Sequence, residues 1–398
     1  MEKTKEASPF RVAAAALILV AGFCLIAVIL FFGISTSSVA NRDYIEYWSA
    51  GQQLIHGANP YDDSAILQIE RGVGYRGDLP KITFSPPVAL VLALPLGLLS
   101  AKAGFTVWSL AILVSVSVSI WILWLLNGRP DNRLHLLGFV FAPIVACQMA
   151  GQLGTFFLLA VVLFLYLHQS RPLLAGAALL PCASKPHLFL PFAMVLLFWI
   201  IWKKAYPILA GFAAAFLVSC SLPLYFDSRI WSQYSQMLKH VRVLDGFVPT
   251  LSGVLRLLLN PAAVGVQFLP EACGTAWAVW YFWTRRNRWS FAEQGLLVLL
   301  VSVACSPYAW VSDEAVLLPA ILFGVYRAVD SGRSLLPIGL SAGVAMIEVL
   351  GTVRMTSIYY LWTVPAWLAW FLYSTSSKKS ESERTIATER KLTQRVPH

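Results

Sequence analysis

Charged residues are scarce in this sequence. Asp, Glu, Lys and Arg together make up only 13% of the 398 residues, against about 25% in a typical soluble domain. Hydrophobic residues make up 58%, and the mean hydropathy is +0.67. This composition excludes a soluble protein and leaves no room for a separate soluble domain. Because a membrane-spanning helix needs about 20 mostly apolar residues, we predict an all-α polytopic membrane protein.

Paired cysteines and the common motifs of phosphate and metal chemistry are also missing. All six cysteines lie inside apolar segments without a paired loop spacing, so neither a disulfide framework nor a zinc site is indicated. No Gly-rich phosphate loop, HExxH motif or DxD triplet stands in a suitable context. Asp62 and Asp63 are adjacent and follow a Pro-Tyr turn, which makes them weak metal candidates. The sequence therefore requires no metal or other cofactor.

Positive charge is present in excess, with a net charge of +10. It lies in short clusters between apolar runs and in the polar tail, which is the pattern of cytoplasmic connectors and not of a nucleic-acid-binding stripe. We therefore predict cytoplasmic N- and C-termini and no nucleic-acid partner. We predict a single transmembrane domain at residues 1–373 and a basic, disordered cytoplasmic tail at residues 374–398.

Apolar runs divide the chain into about 10–13 predicted transmembrane helices. Residues 12–34 are too long for the core of a signal peptide and are interpreted as a retained first span. Residues 35–84 then form a long first extracytoplasmic loop with more acidic than basic residues. Residues 86–99 are short for a crossing, so we predict a re-entrant or interfacial segment. Further crossings are predicted within residues 105–126, 134–150, 156–167, 173–183, 188–202, 206–226, 251–283, 291–305, 315–329, 335–350 and 358–373, and residues 227–249 are predicted to form a loop.

The first loop carries the strongest candidate for chemistry, Asp43. Ionisable groups close to a membrane are costly to hold there and are often functional. A carboxylate at this position could accept a proton from an alcohol as a general base, or it could simply cap the next helix. Glu46 and Tyr47 follow on the same helical face, at i+3 and i+4. Both are candidates for an acceptor site, and both could instead be interfacial residues.

Three further charged positions are candidates for binding. Lys185 stands between two apolar segments, just before Pro186, where it could hold a lipid-linked phosphate or extend its ammonium group to the interface. Arg354 could bind an anionic headgroup. Asp313 and Glu314, beside Tyr308 and Trp310, are predicted to form an outward acidic and aromatic patch, although aromatic residues are expected at any membrane interface.

Several separate segments resemble glycosyltransferase family 87. NRDYIEYWSAGQQLIHGANPYD resembles the Asp-x-x-x-Tyr, Ala, Gly-x-x-Pro-Tyr signature of the family. FSPPVALVLALPLGLL resembles its Tyr-Pro-Pro and Pro-Leu segment, with Phe84 and Ser85 where the aromatic residue usually stands. GQLG, AGAALLPCASKPHLFLP and SPYAWVSDEAVLLP resemble further blocks in the expected order. The resemblance covers residues 43–319, and its Trp-Val-Ser-Asp stretch departs from the usual His-containing or Tyr-Asp versions.

The resemblance implies a GT-C type membrane fold in which an acidic residue of the first outer loop is the base; by position this residue is Asp43. It implies inverting transfer of a hexose, most commonly mannose, from a polyprenyl-phosphate donor to a lipid or glycan acceptor. The donor is a co-substrate, and no bridging metal is needed. The site would face the extracytoplasmic side of the cell (inner) membrane, among membrane lipids. Carried over in the same way, Tyr47, Gln152, Lys185 and Asp313 would line the site. Glu46, Tyr61 and Arg354 are further substrate-binding candidates.

Two other classes of function remain open from the residues alone. A transporter or lipid flippase would also be polytopic, but its ionisable groups should line a path at mid-membrane, where only Glu348 and Lys185 are candidates. A non-catalytic accessory protein of envelope polysaccharide or glycolipid synthesis would share the fold and need no base.

Overall fold

The computed structural model describes residues 22, 25–29, 31–240, 248–351 and 360–376. Within these residues every regular element is helical, so the predicted all-α class is confirmed. The predicted first span at residues 12–34 and the tail fall largely outside the described residues.

The helices in the first half of the chain differ widely in length. The α-helices are α1 (Thr36–Ala40), α2 (Tyr44–Ile55), α3 (Asp63–Gly72), α4 (Leu90–Gly97), α5 (Ala101–Leu126), α6 (Ala142–Ala150), α7 (Gly154–Leu167), α8 (Pro172–Ala178) and α9 (Pro186–Lys203). Short 3₁₀ helices occupy Pro87–Ala89, Leu134–Val140 and Leu180–Ser184.

The second half continues in the same way. Its α-helices are α10 (Tyr206–Phe226), α11 (Ile230–His240), α12 (Leu251–Leu259), α13 (Leu269–Arg285), α14 (Leu296–Cys305), α15 (Leu318–Asp330), α16 (Leu336–Gly351) and α17 (Thr363–Thr375). Val264–Phe268, Arg286–Arg288 and Val311–Leu317 are 3₁₀ helices, and Phe291–Gly295 is a π-helical turn.

Three described helices, α5, α9 and α10, are long and apolar enough to cross a membrane. Six shorter apolar helical stretches accompany them among the described residues. The architecture is that of a polytopic membrane protein, and the total of about 10–13 crossings stays a prediction.

One prediction about the second half needs correction. The predicted loop at residues 227–249 contains the helix α11, whose apolar and polar residues lie on different faces. Residues 251–283, predicted to hold one crossing and a partial one, form two helices, α12 and α13. They separate at Asn260, which precedes Pro261 and adopts an extended backbone, because a residue before proline disfavours the helical conformation.

Helix α4, in the segment predicted not to cross, has 8 residues and is about 12 Å long. A hydrocarbon core of about 30 Å is too thick for such a helix to span. It packs against α2 instead, with Gly51 and Gly97 at the contact. A Cβ atom built on Gly51 would lie 2.2 Å from the backbone oxygen of Ala93. The two backbones therefore touch, and this contact anchors the helix that follows Asp43.

Gly51→Ala is expected to destabilise the protein by about 1–3 kcal/mol. The new methyl group would force α2 and α4 apart, since the atom it meets belongs to the backbone. Thermal unfolding of the purified protein in detergent measures the loss. Gly72→Ala is the matched control, because a Cβ at Gly72 meets nothing within 4 Å. Equal melting temperatures for the two variants would contradict this close contact.

Candidate active site

Asp43 lies immediately before α2, where a capping role was one of the two expectations. Its side chain makes no capping hydrogen bond. Instead, Lys81 Nζ donates to Asp43 Oδ1 at 2.8 Å, and Gln152 Nε2 donates to Oδ2 at 3.1 Å. A donor on each oxygen matches the ionised carboxylate, which only accepts hydrogen bonds. The Asp43 side chain remains 46% exposed, so a substrate hydroxyl can reach it.

Gln152 reaches Asp43 because the turn between α6 and α7 lies directly on the start of α2. Gly151 adopts φ of 80°, the left-handed conformation that glycine favours. A Cβ on Gly151 would lie 2.5 Å from the Cβ of Tyr44. The indole of Trp108 donates to the Gly151 carbonyl at 2.8 Å and holds the turn in place.

Tyr47 and Glu46 continue the network along α2. The Tyr47 hydroxyl donates to Gln152 Oε1 at 3.0 Å, which orients the amide so that its NH₂ group faces Asp43. Burial raises the pKa of Glu46 to about 8, and the neighbouring Asp43 raises it too, while Tyr47 and two lysines act in the opposite direction. At neutral pH Glu46 therefore carries its proton and can donate a hydrogen bond, whereas Asp43 accepts.

Lys185 and Asp313 form a second ion pair. Lys185 Nζ lies 2.7 Å from Asp313 Oδ1 and 3.0 Å from Oδ2, and the Trp310 backbone N–H donates to Oδ2 at 3.0 Å. The Asp313 side chain is 1% exposed and that of Lys185 is 14% exposed. Pro186 begins α9 and keeps Lys185 out of the helix, at φ of −135°. The proline thus places the ammonium group at the helix entrance.

Electrostatic contact joins the two ion pairs into one site. Glu46 interacts with Asp43 and Lys81 on one side and with Lys185 on the other. Tyr47 interacts with both Asp43 and Asp313. The predicted site residues that the structure brings together are Asp43, Glu46, Tyr47, Gln152, Lys185 and Asp313.

Two predicted site residues are not part of this cluster as described. Tyr61 is buried, donates to the Ser85 carbonyl at 3.0 Å and packs against Tyr234. Its described contacts hold the Pro-Tyr turn in place, and none of them is with Asp43 or Lys185. Arg354 lies outside the described residues.

The predicted outward acidic and aromatic patch is wrong for Glu314, which does not lie beside Asp313 on one surface. Glu314 is buried, and its Oε1 accepts a hydrogen bond from the Thr363 hydroxyl at 2.6 Å. A 3₁₀ helix has three residues per turn, so neighbouring side chains point in different directions. Asp313 faces Lys185, and Glu314 faces α17.

Asp62 is a helix cap: its side chain accepts a hydrogen bond from the Ala65 backbone N–H at 2.9 Å. Within the described part of the chain, no group of three or more His, Cys, Asp or Glu side chains is arranged to hold a metal ion.

The structure adds Lys81, which the sequence analysis did not single out. Its ammonium group also donates to the Asn41 carbonyl at 3.0 Å, and its backbone N–H donates to Glu70 Oε2 at 3.1 Å. Glu70 is fully buried, and burial raises its pKa to about 7. The only available signal was that Lys81 is the last cation before the FSPP block. Lys81 and Asp43 are 38 residues apart in the chain, and no local sequence pattern links residues at that separation.

Comparison with known families gives one match. The model of glycosyltransferase family 87 matches residues 84–307, more than half of the chain. The matched region contains Gln152 and Lys185, whereas Asp43 and Lys81 precede it and Asp313 follows it. No curated protein and no solved structure matches the chain.

Proposed function

Since the chain belongs to glycosyltransferase family 87 and is a membrane glycosyltransferase, we propose that it transfers a hexose from a polyprenyl-phosphate donor to a hydroxyl group of a lipid or glycan acceptor, with inversion. The observation that carries this proposal is the accessible Asp43 carboxylate, fixed by Lys81 and Gln152. It lies in the same cluster as a cation, Lys185, suited to a phosphate.

Asp43 serves as the general base in this proposal. The acceptor hydroxyl gives its proton to the carboxylate while its oxygen forms a bond to the anomeric carbon of the sugar. The bond from that carbon to the phosphate oxygen breaks, and the lipid phosphate leaves with the bonding electrons. Attack opposite the leaving group inverts the anomeric configuration. A well-placed base contributes about 10²–10⁴-fold to such a step.

Lys185 is assigned to the leaving phosphate. An ammonium group has three N–H donors, and Asp313 supplies acceptors for two of them. The third can meet a phosphate oxygen as negative charge accumulates there, in a site largely closed to water. Asp313 balances the charge of Lys185 when no donor is bound. A lipid monophosphate leaves without a diphosphate group that a divalent metal would have to bridge.

Glu46 provides a neutral carboxyl group beside the Asp43 carboxylate. As a protonated acid beside Tyr47 it can donate a hydrogen bond to a sugar or acceptor hydroxyl without competing with Asp43 for the proton. A pair of carboxyl groups held in different protonation states is a common way to separate acid and base roles.

Charge placement supports an extracytoplasmic reaction. The basic connectors and tail favour cytoplasmic termini in the cell (inner) membrane and, with them, an extracytoplasmic loop around Asp43. A donor anchored in the bilayer is confined to the plane of the site, which supplies proximity. Mannose is the proposed sugar, in a pathway that builds the cell envelope.

The test is donor preference of the purified full-length protein in proteoliposomes that contain a lipid extract as acceptor. Labelled polyprenyl-phosphate mannose is expected to give a labelled glycolipid or glycan, whereas guanosine-diphosphate mannose is not. Polyprenyl-phosphate glucose is the control for the sugar. Transfer from the nucleotide sugar alone would contradict the proposed donor class, and transfer from the glucose donor alone would contradict mannose.

A further inference from the structure

A cavity of about 480 Å³ lies at the end of α13, outside the cluster around Asp43. All of its lining side chains can donate hydrogen bonds. They are Thr284, Arg285, Asn287, Arg288 and Gln294. The Thr284 hydroxyl already donates to the Tyr281 carbonyl at 3.0 Å, so the donors open to a ligand are those of the other four. Gln294 Oε1 already accepts a hydrogen bond from the Ser290 backbone at 2.8 Å, which leaves its NH₂ group as the part available to a ligand. The cavity therefore offers hydrogen-bond donors to a ligand that is rich in hydrogen-bond acceptors.

The charge of the cavity is positive and is not neutralised by the protein. Among the described residues neither Arg285 nor Arg288 forms an ion pair with a carboxylate. Glu293, the acid next to the lining, is paired with Arg327 at 2.8 Å. Two guanidinium groups without a carboxylate partner favour an anion, and their planar forks match phosphate oxygens.

Aromatic residues place the cavity at the level of lipid headgroups. Arg286 lies over the rings of Trp202 and Trp283, with its Cζ 5.0 and 4.6 Å from their centroids. Trp202 is 45% exposed and Trp283 is 51% exposed. Exposed tryptophans of a membrane protein concentrate at the boundary between hydrocarbon and headgroups. A cavity at this depth is next to lipid phosphates.

The position of α9 separates this cavity from the candidate active site. Lys185 stands at the start of α9 and Trp202 near its end. The helix has 18 residues and is therefore about 27 Å long, close to the thickness of a hydrocarbon core, about 30 Å. Lys203 and Lys204 add positive charge at the same end as the cavity. The cavity and the Asp43 cluster thus face opposite leaflets.

We propose that this cavity binds the phosphate headgroup of an anionic phospholipid in the leaflet opposite the candidate active site. The two arginines contact the phosphate oxygens, and the side-chain amides of Asn287 and Gln294 contact headgroup oxygens. A zwitterionic headgroup brings its own cation towards Arg285 and Arg288, so it binds less well than an anionic one. Lipid binding in this cavity does not depend on the proposed sugar-transfer reaction.

The first measurement is native mass spectrometry of the full-length protein released from bilayers with equal amounts of phosphatidylglycerol and phosphatidylcholine. The unmodified protein is expected to retain phosphatidylglycerol in preference. Equal retention of the two lipids would overturn the proposal, and this comparison does not depend on any variant folding correctly.

The second measurement compares two double variants with the same change in charge. Arg285→Gln/Arg288→Gln is expected to lower phosphatidylglycerol retention about ten-fold. The control Arg129→Gln/Arg133→Gln removes two exposed cations from another connector and should leave retention unchanged. Equal loss of phosphatidylglycerol in the two double variants would show that only the overall charge matters, and would overturn the proposed site.

A third measurement separates a lipid from a free anion. Inorganic phosphate at millimolar concentration is expected to leave the bound phosphatidylglycerol in place. Release of the lipid by phosphate, together with equal thermal stabilisation by phosphate alone, would assign the cavity to a free phosphate and overturn the lipid proposal.

Discussion

Asp43→Asn is expected to lower sugar transfer by about 10²–10⁴-fold, with little effect on stability. The new amide cannot take up the acceptor proton. It can keep both neighbours, because its oxygen still accepts from Lys81 and its NH₂ group can donate to Gln152 once that amide turns over. The Tyr47 hydroxyl can then accept from Gln152. Transfer from polyprenyl-phosphate mannose, measured with matched protein levels, gives the loss.

Asp78→Asn is the matched control, since Asp78 is an exposed carboxylate in the same segment, residues 35–84. It should retain full activity. Equal activity of Asp43→Asn and the control would remove Asp43 from the mechanism. It would also favour a non-catalytic accessory protein of envelope assembly, which has no need of a base.

Lys185→Met is expected to reduce both stability and turnover. It leaves Asp313 buried without its cation, and breaking a buried ion pair in this way costs about 3–5 kcal/mol. It also removes the group assigned to the leaving phosphate, whose loss should lower turnover by about 10²–10³-fold. Thermal unfolding in detergent and the transfer assay measure the two effects separately.

The double variant Lys185→Met/Asp313→Leu distinguishes the two roles of the pair. Removing both charges is expected to restore most of the stability, because no isolated charge remains buried. Turnover should stay as low as in Lys185→Met. Recovery of turnover together with stability would show that the pair only holds α9 against the 3₁₀ helix that carries Asp313.

Local patterns in the sequence predicted the placement of some candidate residues. Asp43, Glu46 and Tyr47 are close together because a helix brings residues three and four apart onto one face. Lys185 stands outside the helix because Pro186 follows it. The all-α class followed from apolar runs alone. Each of these inferences depends on neighbours in the chain.

Contacts between distant segments could not be predicted in this way. The partner of Asp43 is 38 residues away, and the partner of Lys185 is 128 residues away. Neither pairing leaves a periodic signal. The direction of Glu314 was predicted wrongly because the chain changes there to a 3₁₀ helix, which apolar composition does not reveal. The family resemblance placed Gln152 and Asp313 near the site, and the structure shows what they contact.

Helix α9 carries one cation at each end, Lys185 at its start and Lys203 at its finish. Its length is therefore matched to a particular bilayer thickness. In a thinner membrane such a helix tilts to keep its apolar residues covered, whereas a thicker membrane thins locally around it. Tilting would move Lys185 relative to Asp313, which belongs to a different element. The acyl-chain length of the surrounding lipids thus affects the distance between Lys185 and Asp313, and with it the binding of phosphate.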